Sequence, residues 1–374
     1  MSQQCFNDLT ATEDPHEMNI PEEKGLPVNL LVGCFNNTVA TYKYYWFLSI
    51  LQSVEAGNGI IPKRELFSRM LVTAWYTVNY FHVSFGKQDL IQSAVKHVKS
   101  IENISIDEEA NVILSILMNS HNKETLRTLQ HFNKNVPHWF LSPWFPIIGV
   151  ETDTQRAKRI YDASKQNRFL SLYSLYEDKI EINPHWKNYL EKNIRLLKDF
   201  CHWNLTLYLQ SKNPHVPDIP NKILKPASRN NLIKQRRMFW DIVLKRLGSV
   251  NCIYTNTELT LDNYVVEHFI PYAFVSHDLI WNLIPADKSF NSSKRDKLPR
   301  LERYFMPFIQ LQHKAIKIVR EENPSNKLLE DYLTIFADLG EASIMSEDYI
   351  REKFKNTLQP LVTIALNNGF EYLA

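Results

Sequence analysis

A chain of 374 residues, 44% hydrophobic and 22% charged with a net charge of +2, has the composition of an ordinary globular protein and enough length for two or three structural units. No stretch approaches the roughly 18 apolar residues of a membrane span, and the opening MSQQCFNDLTATEDP lacks the basic-then-apolar order of a secretion signal, so a cytoplasmic protein without membrane association is expected. The four cysteines, Cys5, Cys34, Cys201 and Cys252, include no CxxC pair; this argues against a disulfide framework or a cysteine zinc site and leaves reduced, mostly buried thiols.

A polar tail runs to about Gly25. Helical spacing of apolar residues then marks "TYKYYWFLSILQSVEAG", which stops at Gly57-Asn58-Gly59, and "PKRELFSRMLVTAWYTV", which opens on Pro62. The same pattern continues in "DEEANVILSILMNS", "KETLRTLQHFNK", "HWKNYLEKNIRLLKDFCHWNLTLYLQ" and "NLIKQRRMFWDIVLKRLG". The four-proline segment "NPHVPDIPNKILKPASRN" reads as a break and a linker. Towards the end of the chain, "LERYFMPFIQLQHKAIKIVREEN", "KLLEDYLTIFADL" and "EDYIREKFKNTLQPLVTIAL" are helical again. The aromatic-rich "YKYYWFLSIL" and "HWFLSPWFP" are expected in the core, and there is no internal repeat.

Only one stretch reads as β structure. "NCIYTNTELTLDNYVVEHFIP" offers two short β-prone runs separated by polar turn residues and ended by Pro271, which predicts a hairpin. A loop, "YAFVSHDLIW", follows, and "ADKSFNSSKRDK" suits a short helix stopping before Pro299. The predicted order is hairpin, loop, helix. Charge concentrates here: residues 222 to 300 hold thirteen Lys and Arg against seven Asp and Glu, a local excess of +6 that suits a phosphate-binding surface or, more plainly, a solvated face.

Within this stretch Glu267 and His268 are adjacent in an apolar run. Burying an ionised carboxylate costs several kcal/mol unless something compensates it, and a metal and a phosphate would do so. With Asn282, Asn291 and Lys294 downstream, the pattern resembles the HNH endonuclease motif and its ββα-metal (His-Me finger) fold. The spacing is similar to the HNH module of RNA-guided CRISPR nucleases. The wording "WNLIPADKSFNSSKRDKLP" resembles stand-alone bacterial HNH proteins, many associated with defence against phage. The specific resemblance covers about residues 250 to 300.

The helical spacing along the chain together with the resemblance gives the expectation of a mainly α protein with a small α+β insert, the ββα-metal module. Its expected parts are a tail (1–25), a helical N-terminal domain (26–225), a basic helix with the nuclease module (226–300) and a C-terminal helical region (301–374). It implies a catalytic set of His268, Asn282 and Lys294: His268 deprotonates the attacking water, Asn282 organises the loop by bonding backbone near His268, and Lys294 grips a phosphate. Glu267 and Asn291 would hold one divalent ion through oxygen, favouring Mg²⁺ or Mn²⁺ over zinc. Lys294, Arg295, Arg236 and Arg237 are the expected nucleic-acid contacts. Since strand neighbours face opposite ways, a site shared by Glu267 and His268 requires the strand to distort or end there.

Two departures stand out. The CxxC pairs that frame many HNH hairpins around structural zinc are missing, Thr255 standing in "CIYT" where the second cysteine would fall, and the usual aspartate is Glu267. His277, beside the motif, is expected to be exposed. The activity implied is metal-dependent cleavage of DNA by a defence effector held in check by a protein partner or by oligomerisation. The alternatives are an RNA-cleaving nuclease and a catalytically idle nucleic-acid-binding or assembly subunit.

Overall fold

The computed structural model describes residues 20–36, 38–224, 231–337 and 346–373. The chain is mainly α, about 59% helical, with small sheets. It divides into two compact units, each built from two sequence segments. One comprises residues up to Met70 with Asn111–Leu205, the other Leu71–Ala110 with Thr206–Ala374.

In the first unit the apolar spacing of "YKYYWFLSIL" produces helix α1 (Tyr42–Glu55), which buries Tyr45, Trp46 and Phe47 completely. Trp46 Nε1 donates to the Tyr173 hydroxyl at 3.0 Å, and that hydroxyl donates to Pro137 O at 2.6 Å, so the polar ends of these core rings are satisfied. Strand β1 (Ile60–Pro62) leads into α2 (Lys63–Asn79), which continues into the second unit. With β2 (Tyr173–Leu175) and β3 (Lys179–Ile182), β1 forms an antiparallel sheet in the order β1-β3-β2. This sheet corrects the expectation of a single β region. Strands of three or four residues are too short to display the alternation that identifies a strand. The long α3 (Pro184–Lys212) follows and also crosses from one unit to the other.

The proline-rich segment after α3 does not run free through the second unit. Ile219 and Lys222 are fully buried there, while residues 225–230 of that segment lie outside the described residues. A π-turn at Arg236–Trp240 then leads into α4 (Asp241–Leu247). Strands β4 (Val250–Asn251) and β5 (Glu258–Leu259) pair as a minimal hairpin. The principal ribbon is β6 (Tyr264–His268) paired antiparallel with β7 (Leu283–Asp287), followed directly by α5 (Lys288–Lys294).

The predicted hairpin is thereby corrected. The run ending in Glu267-His268 pairs with a later strand, not with the run before it, and a loop of residues 269–282 separates the two. Pro285 stands opposite Val266; a two-stranded ribbon consists only of edges, which is where a strand accepts a residue without an N–H.

Helix α6 (Leu301–Glu322) packs against β7 of this ribbon, and α7 (Glu347–Asn367) packs on α6. Phe269 stacks on Phe308 at 3.9 Å and Phe308 meets the edge of Phe354 at 5.8 Å, each buried ring contributing about 1.5–3 kcal/mol. The far end of the loop is anchored as well: Gln312 Nε2 donates to Leu283 O at 2.8 Å, and Asp331 Oδ2 accepts from Ile280 N at 2.8 Å.

Candidate active site

The β-branched pair Val265-Val266 favours a strand, and β6 runs in regular register until Glu267 faces Ile284 and His268 faces Leu283. His268 is the strand's last residue. Both side chains are buried, Glu267 at 5% exposure and His268 at 1%, and different elements receive them.

Glu267 meets the helix. Asp287 starts α5 by accepting from both the backbone N–H and the hydroxyl of Ser289, at 2.8 and 2.7 Å, and these bonds hold its carboxyl below the usual carboxylate range. Phe290 then stacks on Tyr254 at 4.6 Å, tying the helix to the β4–β5 connection. At the helix end Lys294, with no exposed surface, donates to Glu267 Oε1 at 3.1 Å and to His268 O at 2.8 Å. The structure therefore compensates the buried carboxylate with an ammonium group. Lys294, expected to grip a phosphate, has its cation turned inward onto Glu267 in this structure.

His268 meets the loop. Its Nε2 lies 2.9 Å from Asp278 Oδ1, and its Nδ1 is buried without a hydrogen-bond partner among the described residues. A carboxylate can only accept, so Nε2 carries a proton, and in the neutral form of the ring the lone pair then lies at Nδ1. That is the form a general base needs. Tyr272 lies edge-on to the ring at 5.5 Å. Sequence reasoning missed Asp278, and its one signal is modest: it is the only acidic residue between positions 269 and 282.

Asn282 closes the loop. Its Oδ1 accepts from Ile270 N and its Nδ2 donates to Ile270 O, both at 2.8 Å, while Phe269 N donates to Asn282 O at 2.7 Å. The amide imitates one rung of an antiparallel ladder, which fixes where the loop leaves β6 and rejoins β7. His277, expected to be exposed, is half-buried instead. Burial, with His268 and Lys222 adding to it, brings its pKa down to about 4 and keeps it neutral.

Asn291 lies in α5 three residues before Lys294, and its side chain is outside the described residues. The oxygen chemistry of the site suits a hard divalent cation. Among the described residues the Glu267 carboxylate has Lys294 as its hydrogen-bonding partner through Oε1, so Oε2 can accept an ion. The hydroxyl of Tyr254 is also buried without a partner among the described residues and feels the Glu267 charge. Where the zinc-binding pair of other hairpins would begin, Cys252 accepts a hydrogen bond from Asp287 N at 3.4 Å.

The expected nucleic-acid contacts separate into two kinds. Arg237 and Arg295 are exposed, the latter just past α5 with a left-handed φ of 49°. Arg236 is engaged internally: it donates to Leu261 O at 2.7 Å and lies 4.4 Å from the Tyr264 ring centre.

Neither a curated protein nor a solved structure matches this chain. Residues 252–300 match the family model of the HNH endonucleases, a family that generally depends on a divalent metal. The match spans β5, β6, the loop, β7 and α5, with Glu267, His268, Asn282, Asn291 and Lys294 all inside it, and this segment of the chain is an HNH endonuclease module.

Proposed function

We propose that the chain hydrolyses DNA phosphodiester bonds with His268 as the general base and a single Mg²⁺ or Mn²⁺ held by Glu267 and Asn291. The observation that carries this reading is the one-sided anchoring of His268, Nε2 on Asp278 and Nδ1 unengaged, one residue from a buried carboxylate. A bound ion would supply charge stabilisation on the leaving-group side of the phosphate. The protein's own groups do the rest. Nδ1 of His268 takes the proton of the attacking water, Asp278 holds the ring in the required tautomer, and Asn282 fixes the loop that brings the two together. In this reading Lys294 pairs with the Glu267 carboxylate and holds it in place, while Arg237 and Arg295 hold the backbone of the nucleic acid.

The near-complete burial of Glu267, His268 and Lys294 supports control of the module by a protein partner or by a second copy of the chain, because a phosphate must displace packing to reach the imidazole. The buried, unpaired thiols of Cys34, Cys201 and Cys252 suit the reducing cytoplasm, and a role in defence against phage is consistent with a nuclease kept in check. The same burial also favours one other reading, a binding or assembly subunit whose motif is idle. Labelled DNA and RNA offered together to the wild type and to His268→Ala, with Mg²⁺ or Mn²⁺, decide between them. The proposal expects DNA cutting that falls by roughly 10²–10⁴-fold in the variant. Preferential RNA cutting would reassign the substrate, and absence of cutting under every condition, with cellular function kept by His268→Ala, would identify the idle subunit.

A further inference from the structure

The segment that carries Asp278 turns through Ser276, whose φ of 58° is left-handed backbone that a serine adopts only when its surroundings hold it there. Two bonds do so. Ser276 N donates to Tyr272 O at 2.7 Å, and Ser276 Oγ accepts from Nζ of Lys222 at 2.7 Å. Lys222 has no exposed surface. Its ammonium also donates to Pro217 O and sits 5.7 Å from the centre of the Phe81 ring, and its carbonyl accepts from Thr77 Oγ1 at 2.8 Å. Burial, opposed by Asp218, pulls its pKa down to about 7. The proton-transfer chemistry assigned to His268 does not use this group, yet the fold encloses it completely.

We propose that Lys222 is a positioning residue of the nuclease centre, fixing through Ser276 Oγ the left-handed turn that delivers Asp278 to Nε2 of His268. The proposal rests on the reading of His268 as the base. Only His277 separates Ser276 from Asp278, so the turn sets where the carboxylate arrives. The Asp278–His268 bond of 2.9 Å in turn sets which ring nitrogen is left free.

Two variants of the full chain test this. Lys222→Met removes the ammonium, and Ser276→Gly removes the hydroxyl while accepting the positive φ without strain. The readouts are kcat and KM for plasmid cleavage with Mg²⁺ and, without metal, the ¹⁵N signals of the His268 ring, which report its tautomer. Each folded variant is expected to lose roughly tenfold to a hundredfold in kcat, with KM within about twofold of wild type, and to convert a single tautomer into a mixture. A folded variant that keeps one tautomer and kcat within about twofold of wild type overturns the proposal. If Lys222→Met fails to fold, Ser276→Gly decides alone. Failure of the underlying reading looks different: His268→Ala would still cut, whatever the ring signals of the Lys222 variant showed.

Discussion

Among the described residues His268 is held at one ring nitrogen: Asp278 Oδ1 stands 2.9 Å from Nε2, and the buried Nδ1 has no partner there. The tautomer therefore depends on an acceptor at Asp278. Asp278→Asn replaces it with a side chain that can donate an N–H to Nε2 and so force the proton onto Nδ1, the position that must be free. Cleavage by Asp278→Asn should then fall nearly as far as for His268→Ala, roughly 10²–10⁴-fold, while Asp278→Ala, which imposes no tautomer, should lose less. Plasmid nicking by the three variants at one metal concentration checks this order, and an Asn variant as active as wild type would contradict it.

The pair of Glu267 and Lys294 makes a second claim testable without turnover. Removing one partner of a buried pair leaves the other uncompensated, which costs about 3–5 kcal/mol, so Lys294→Met should melt well below wild type. If Glu267 also holds the divalent ion, Mg²⁺ or Mn²⁺ should restore part of the loss by supplying the missing positive charge, and should raise the melting temperature of the variant more than that of wild type. Equal metal-induced shifts in the two proteins would dissociate Glu267 from the ion.

The module was legible in the residues, and the contacts that were not have identifiable causes. The Glu267-His268 adjacency and the downstream Asn282, Asn291 and Lys294 are local in sequence, so they pointed to the module directly. Long helices such as Pro184–Lys212 and Leu301–Glu322 show their apolar spacing over several turns. The strand Leu283–Asp287 was hidden because Pro285 and its position between a loop and a helix make it read as irregular chain. Asp278 was missed because its meeting with His268 depends on the path of the loop, set by the Asn282 rung and the Ser276 turn and not by any fixed spacing. The inward turn of Lys294 onto Glu267 is not readable from the sequence, which does not show which way the end of the helix faces.

The buried ammonium of Lys222 also predicts how stability depends on pH. Its folded pKa of about 7 lies below the ordinary 10.5, with Asp218 opposing the shift and the neutral His277 beside it. Below pH 7 both folded and unfolded chains hold the proton. Between pH 7 and 10.5 the folded chain has released it and the unfolded chain still binds it, so this group makes stability rise with pH across that window. Lys222→Met should remove that component of the slope. Urea midpoints of the two proteins measured at several pH values across the window check this, and parallel profiles would show that the ammonium titrates normally.

The two neighbouring arginines ahead of the module should behave oppositely. The Arg236 guanidinium donates to Leu261 O at 2.7 Å and stacks over Tyr264, whose hydroxyl donates to Asp241 Oδ1 at 2.6 Å, so it braces the start of β6 from the preceding helix. Arg236→Ala should therefore cost stability, about 1.5–3 kcal/mol for the charged hydrogen bond, and leave the salt dependence of nucleic-acid binding intact. Arg237 is exposed and should do the reverse: stability unchanged within about 0.5 kcal/mol, with weaker binding across sequences. Each phosphate contact contributes about 0.9 to the slope of log affinity against log salt on duplex DNA, so Arg237→Ala should flatten that slope by about one contact. Anisotropy titrations of labelled duplex with a His268→Ala background, between about 50 and 200 mM salt, measure it. An unchanged slope for Arg237→Ala would move the nucleic-acid path away from this helix, towards Arg295 at the end of α5.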